Sequence, residues 1–194
     1  IERVSLPQRV CAMTFDDGPC RLPANPSSDG TPLTLSLLES LEAFGAHGTF
    51  DIVGDTSENY PDKPGKEGSA SWGGIRYDHY PDIHKDADGG AVHCPELVRR
   101  ILDGGHEITS HTYRHVLYGP KPLVYGGRQP FENLAEVTQD LRRLDELMRR
   151  DYGYAIRLSR PPHYVDSTKD GFTSYDAHAL LGYQYLAASF DGAG

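Results

Sequence analysis

What the chain has little of narrows its class first. Its three cysteines, Cys11, Cys20 and Cys94, are an odd set, so at least one thiol is free unless it pairs between chains, and their spacing matches no zinc ribbon. Cys11 reads as a small core residue in the first strand; a Cys20–Cys94 bridge stays open. No apolar run is long enough to span a bilayer, and Ile1 opens the sequence without the charged and apolar regions of a signal peptide. Basic residues are outnumbered, 19 Lys and Arg against 28 Asp and Glu, for a formal net charge of −9. That balance argues against nucleic acid or an anionic membrane surface as partner and favours a neutral or cationic substrate. No internal repeat is visible. A length of 194 residues, 38% of them hydrophobic, suits one domain with one core.

What is present is a regular alternation of strand and helix signals, the pattern of an α/β fold with a parallel sheet. Val10 to Phe15 reads as a first strand, broken soon after by Gly18-Pro19. Thr31-Pro32 supplies an N-cap and a first-turn proline for a helix carrying Leu33, Leu37, Leu38, Leu41 and Phe44, which Gly45 ends. His47 to Val53 is a second strand. Cys94-Pro95 opens a helix over Glu96 to Asp103, and Glu107 to Ser110 is the strand after it. Leu134, Val137, Leu141, Leu144 and Met148 alternate steps of three and four, the apolar stripe of a helix lying against a sheet. Ala155 to Ser159, Ser174 to Leu181 and Gln184 to Phe190 follow as strand, helix and strand. About five strands result, where a closed barrel has roughly eight.

The chemistry-bearing residues each follow a strand, where α/β folds keep their active sites. Asp16 and Asp17 are adjacent carboxylates, which need a cation or a shared proton. His111 and His115 lie on one face if the chain between them turns helically. Two imidazoles and one carboxylate around a metal leave a position open for water, as hydrolysis requires. Arg160 precedes Pro161-Pro162. Singly, each has a bland reading: a solvated turn, two exposed histidines, a surface arginine. Together they form a complete ligand set. A two-histidine, one-carboxylate oxygenase is disfavoured, because its carboxylate sits two residues from the first histidine.

In this order the motifs resemble the polysaccharide deacetylases of carbohydrate esterase family 4, the NodB-homology domain. The resemblance rests on Thr14 to Pro19, Gly105-His106-Glu107-Ile108, His111 to His115 and Arg160 to Pro162. It covers most of the chain apart from about residues 55–93, which read as an insertion. It implies α/β architecture of the distorted (β/α) barrel type, one catalytic domain over residues 1–194, and metal-dependent removal of N-acetyl or O-acetyl groups from a polysaccharide such as peptidoglycan, chitin or xylan. Asp17, His111 and His115 would hold a divalent transition metal, zinc first, with cobalt, manganese, nickel or iron as alternatives. Asp16 would be the general base, aimed by a charge-assisted pair with Arg160. The backbone N–H of His163, where the family usually has Tyr, would face the oxyanion. Asp191 matches the first acid of a later signature. The family's leaving-group histidine has no counterpart before Gly194, so a domain incomplete at its C-terminal end is expected, completed by a second segment or chain.

The resemblance also implies a polysaccharide or oligosaccharide partner and a secreted or cell-surface location. A related amidase acting on a small amide, and a catalytically impaired carbohydrate-binding homologue, are the alternatives. Tyr60, Trp72, Tyr77 and Tyr80 in the insertion read either as one wall of a sugar groove or as a surface loop. His47, His79, His84, His93, His106 and His178 belong to no ligand set and read as core-edge or solvated residues.

Overall fold

The computed structural model describes residues 11–23, 29–58, 71–72, 75–76, 87–120 and 129–190. In chain order these form β1 (Thr14–Gly18), α1 (Leu33–Ala43), β2 (Thr49–Ile52), β3 (Ser71–Trp72), β4 (Ile75–Arg76), α2 (Gly90–His93), α3 (Pro95–Asp103), β5 (Glu107–Ser110), α4 (Leu134–Tyr152), β6 (Leu158–Ser159), α5 (Ser174–Leu181) and β7 (Gln184–Tyr185). A five-stranded sheet runs in the order β1-β2-β5-β6-β7, all neighbours parallel, and β3 and β4 form a separate antiparallel pair. The sheet is open among the described residues. Most of the expected insertion, and Asp191, lie outside them.

Register decides what meets what. Phe15 pairs with Phe50 and Phe50 with Ile108, while one residue on Asp16 pairs with Asp51 and Asp51 with Thr109. Because successive strand residues face opposite sides, the first row turns an apolar face to the helices and the second a polar face to the other side. The Phe15 and Phe50 rings pack at a tilt, their centroids 5.1 Å apart. Val98 and Ile101 of α3, with Val137, Leu141, Leu144 and Met148 of α4, are wholly buried in the core they share with Ile52 and Ile108. The periodicity of α4 predicts this helix because its stripe packs the sheet. Asn133 caps its start by accepting the Glu136 N–H at 3.0 Å, and Gly153, at φ 65°, ends it.

Several local readings change. The first strand begins at Thr14 rather than Val10 among the described residues and carries both acids inside it. Cys11 is exposed, not a core residue, whereas Cys20 is half-buried and Cys94 buried. β6 and β7 are two residues each, shorter than Ala155 to Ser159 and Gln184 to Phe190 suggest. Of the histidines read as core-edge or solvated, His106 and His178 are buried, in keeping with the first alternative, His106 accepting the Gly48 N–H at 3.1 Å. Burial alone pushes the His178 imidazole down to about 4, so it is neutral at physiological pH.

Candidate active site

The acidic motif is shaped by one extra residue. The β1–β2 register runs straight through Asp16↔Asp51 and then jumps to Gly18↔Ile52, leaving Asp17 as a bulge at φ 68°. Asp17 Oδ1 thereby lies 3.3 Å from His111 Nε2 and 3.0 Å from His115 Nε2. The side chain of Asp17 is 61% exposed, whereas those of His111 and His115 are 4% and 11% exposed. The acid sits at the mouth and the imidazoles form the floor.

The two histidines meet without a helix. Thr112 and His115 adopt φ of 74° and 53°, which folds the His111–His115 segment into a tight loop whose rings approach to 5.1 Å. The loop is pinned from behind by Asp140 of α4. Its Oδ1 accepts the Tyr113 N–H at 2.6 Å and the Arg114 N–H at 3.4 Å, and its Oδ2 accepts Arg114 Nε at 2.8 Å. The Asp140 carboxylate is 1% exposed. Burial raises its pKa, with Arg114 opposing. Removing it strands buried donors, so Asp140→Ala should cost about 3 kcal/mol in urea unfolding. Arg114→Ala, which leaves the backbone contacts, should cost less. A loss below about 1 kcal/mol for Asp140→Ala would remove this pinning role.

Arg160 approaches from β6. Its backbone N–H donates to Ser110 O at 3.1 Å, and its guanidinium is 3% exposed. Nη1 donates to Asp16 Oδ1 at 2.5 Å and to Thr14 Oγ1 at 3.1 Å, while Nε donates to Leu186 O at 3.1 Å. His163 lies in a 3-10 turn over Pro162–Tyr164 at φ 52°, its ring 5.8 Å from that of His115. Asp17, Thr112, His115, His163 and Tyr164 are the non-glycine residues at positive φ among the described residues. All five belong to this one place or adjoin it. Such backbone conformations cost on the order of 1–3 kcal/mol each and persist where the surroundings impose them.

The electrostatics follow the contacts. Desolvation pushes the Asp17 carboxyl up, but hydrogen bonds and charge from His111 and His115 outweigh it and hold the group well below the usual carboxylate range. For His111, burial disfavours the cation, yet Asp51 and Asp17 overcome it and lift the imidazole well above its ordinary value. That pattern describes ligand atoms crowded around one position. Bonds of about 2.0–2.1 Å to a tetrahedral zinc put ligand atoms roughly 3.3 Å apart, close to the spacings around Asp17 Oδ1. Asp17, His111 and His115 offer ligand atoms all within 4.8 Å of one another. The donor set therefore fits a first-row divalent cation. Asp51 and Asp140 escape a motif-based reading. Their signal is an acid inside the apolar Phe50-Asp51-Ile52-Val53 run and an acid one residue before Leu141 on the apolar stripe of α4.

A concavity of about 980 Å³ lies beside α4, lined by Leu134, Thr138, Arg142, Glu146 and Leu180 among others, and contains none of these residues. The clustered acids, histidines and arginine sit instead at the carboxyl ends of β1, β5 and β6.

An open parallel sheet that gathers acids, histidines and an arginine at its strand ends defines an α/β protein of the (β/α) type with a cluster of candidate cation ligands. The chain belongs to the polysaccharide deacetylase family, whose family model, described as Polysaccharide deacetylase, matches residues 3–185. It is 37% identical over 162 residues to the peptidoglycan-N-acetylmuramic acid deacetylase PdaC of Bacillus subtilis, covering 84% of this chain and 23% of that protein. It is 24% identical over 157 residues to a peptidoglycan-N-acetylglucosamine deacetylase of Bacillus cereus, covering 78% of this chain and 35% of that protein. Among solved structures, PdaC of Bacillus subtilis aligns with a TM-score of 0.55 at 20% identity, over 95% of this chain and 60% of that one. The chitin deacetylase of Colletotrichum lindemuthianum aligns with a TM-score of 0.55 at 21% identity, over 92% and 54%. These structures share the fold. The chain spans about a quarter to a third of the length of the two curated relatives.

Proposed function

We propose that residues 1–194 form one catalytic domain, with an insertion at about 55–93, of a metal-dependent hydrolase that removes N-acetyl, or O-acetyl, groups from a cell-wall polysaccharide, peptidoglycan foremost. The observation that carries this reading is the convergence of Asp17, His111 and His115 beside the Arg160–Asp16 pair. Asp17, His111 and His115 would hold the cation, zinc first. When bound, it supplies Lewis-acid polarisation and a water of lowered pKa.

Asp16 takes the proton of the attacking water, and its direction is set by Arg160 Nη1. The water oxygen bonds to the acetyl carbon, the carbonyl oxygen becomes an oxyanion, and the backbone N–H at His163 faces it. The carbon–nitrogen bond then breaks, the leaving nitrogen takes up the proton that Asp16 received, and acetate and a free amine result. Asp191 is assigned a supporting acidic role. The names of the relatives, two of them peptidoglycan deacetylases, favour a cell-wall glycan and a secreted or surface location. Among the described residues no helix is long and apolar enough to cross a membrane. β1 and β7 pair on one side only among those residues, which fits a second segment or chain completing the sheet.

Acetate release from N-acetylated peptidoglycan and from soluble acetylated chitooligosaccharides, with zinc or cobalt added and with a chelator, tests the proposal. Release that stops with the chelator and returns with metal is expected. Glycan binding that survives chelation, with no acetate released in any condition, would make the protein a binder instead.

A further inference from the structure

We infer that Asp51, buried at the centre of β2, is the positioning residue that holds a carboxylate charge behind His111 and thereby sets the affinity of the site for metal. This assignment rests on the metal-site reading proposed above. It starts from a misfit. Asp51 lies between Phe50 and Ile52 in a strand that is otherwise apolar from residue 50 to 53, and it is 0% exposed. A buried carboxylate costs several kcal/mol in lost hydration and returns little stability even when paired. A strand needing only to pack would do better with an apolar side chain there.

The register shows what the carboxylate reaches. Asp51 stands in one row with Asp16 on β1 and Thr109 on β5, and His111, two residues past Thr109, emerges on the same side. Oδ1 accepts the Thr109 hydroxyl at 2.6 Å, which fixes the plane of the carboxylate. Oδ2 lies 2.7 Å from His111 Nδ1, an ion-pair contact without hydrogen-bond geometry, and has no hydrogen-bond partner. The same Nδ1 is 2.9 Å from the Arg160 carbonyl oxygen. The carbonyl is therefore the hydrogen-bond acceptor at this ring nitrogen, and the Asp51 carboxylate lies close beside it. With Nδ1–H on the Arg160 carbonyl and the Asp51 charge beside it, His111 keeps its proton on that side and turns the Nε2 lone pair toward Asp17, the geometry a metal ligand needs. The carbonyl alone would orient the ring. The carboxylate adds negative charge behind it, which makes the imidazole a stronger donor.

The row also separates the two acids of β1 by task. Asp16, paired by Arg160, and Asp51, paired by His111 and Thr109, flank one another in the sheet, so Arg160 and His111 keep two like charges apart in function.

Zinc dissociation constants measured by competition with a chromophoric chelator, at one fixed pH, test the assignment. Asp51→Asn should bind zinc about 10–100-fold more weakly than the parent. Thr109→Val, which frees the carboxylate plane, should weaken it by about a few-fold. The His111 Nδ1–H proton resonance of the zinc-loaded protein should move upfield in Asp51→Asn, a change that loss of packing alone would not produce. Thermal midpoints of the metal-free proteins report whether folding is intact. An unchanged zinc affinity and an unshifted resonance in a folded Asp51→Asn protein would overturn the assignment while leaving the metal reading in place. A parent that takes up no zinc would overturn both. Should Asp51→Asn fail to fold, unchanged affinity in Thr109→Val overturns the assignment by itself.

Discussion

An Asp16→Asn protein should retain the metal stoichiometry of the parent and release acetate about 10²–10⁴-fold more slowly, the span that general-base catalysis contributes. The expectation follows from the separation of the two adjacent acids. Asp17 turns to His111 and His115, whereas Asp16 turns to Arg160. Asparagine keeps the shape and still offers Oδ1 to Nη1, and Arg160 keeps its bonds to Thr14 Oγ1 and Leu186 O, so the fold should hold. What it loses is the lone pair that can take up a proton. Acetate release near the parental rate would show that another group is the base. Loss of the metal together with activity would show that Asp16, not Asp17 alone, belongs to the ligand set.

The second large effect concerns the ligands. A His111→Ala, His115→Ala double variant should fall from about one bound divalent metal per chain to none in elemental analysis, because a single carboxylate at the mouth cannot retain a first-row cation against chelation. Parental metal content in that variant would place the cation elsewhere. In the parent, pH should act in opposite directions on the free and loaded forms. His111 is raised above its unfolded value in the metal-free protein, so the stability it contributes is fully present below about pH 6.5 and is lost as pH rises through its higher folded value. Asp17 is depressed, so its contribution is present above the ordinary carboxylate value and is lost as pH falls through the lower folded one. Metal binding must displace the His111 proton, and affinity should therefore rise about tenfold per pH unit until that group is neutral. Thermal midpoints recorded with and without zinc from pH 5 to 9 should diverge as pH rises. A zinc-induced shift independent of pH would contradict the raised imidazole.

How much of this was readable beforehand differs by element. The stripe of α4, the bounds of β5 at Glu107–Ser110 and those of α5 at Ser174–Leu181 are visible in sequence, because periodicity and glycine stops act locally. β6 and β7 are overread, since apolar residues beside a two-residue pairing look like strand without being hydrogen-bonded as one. The His111–His115 spacing suggests a helical turn, but positive φ at Thr112 and His115 makes it a loop. Threonine has no intrinsic preference for that region, and what imposes it is Asp140, some 26 residues away. Asp51 stayed hidden for a related reason. Its partners, His111 and Thr109, are 60 and 58 residues distant, and only strand register brings them together.

The bulge at Asp17 gives the acidic motif something like a reading frame. In an unbroken strand Asp17 would share the outlook of Phe15 and point into the layer between sheet and helices, a carboxylate among Phe50 and Leu41. One surplus residue between Asp16 and Gly18 resets the count, so that two neighbours in sequence both arrive at His111. The number of residues in that stretch, as much as their identity, is then what the motif encodes.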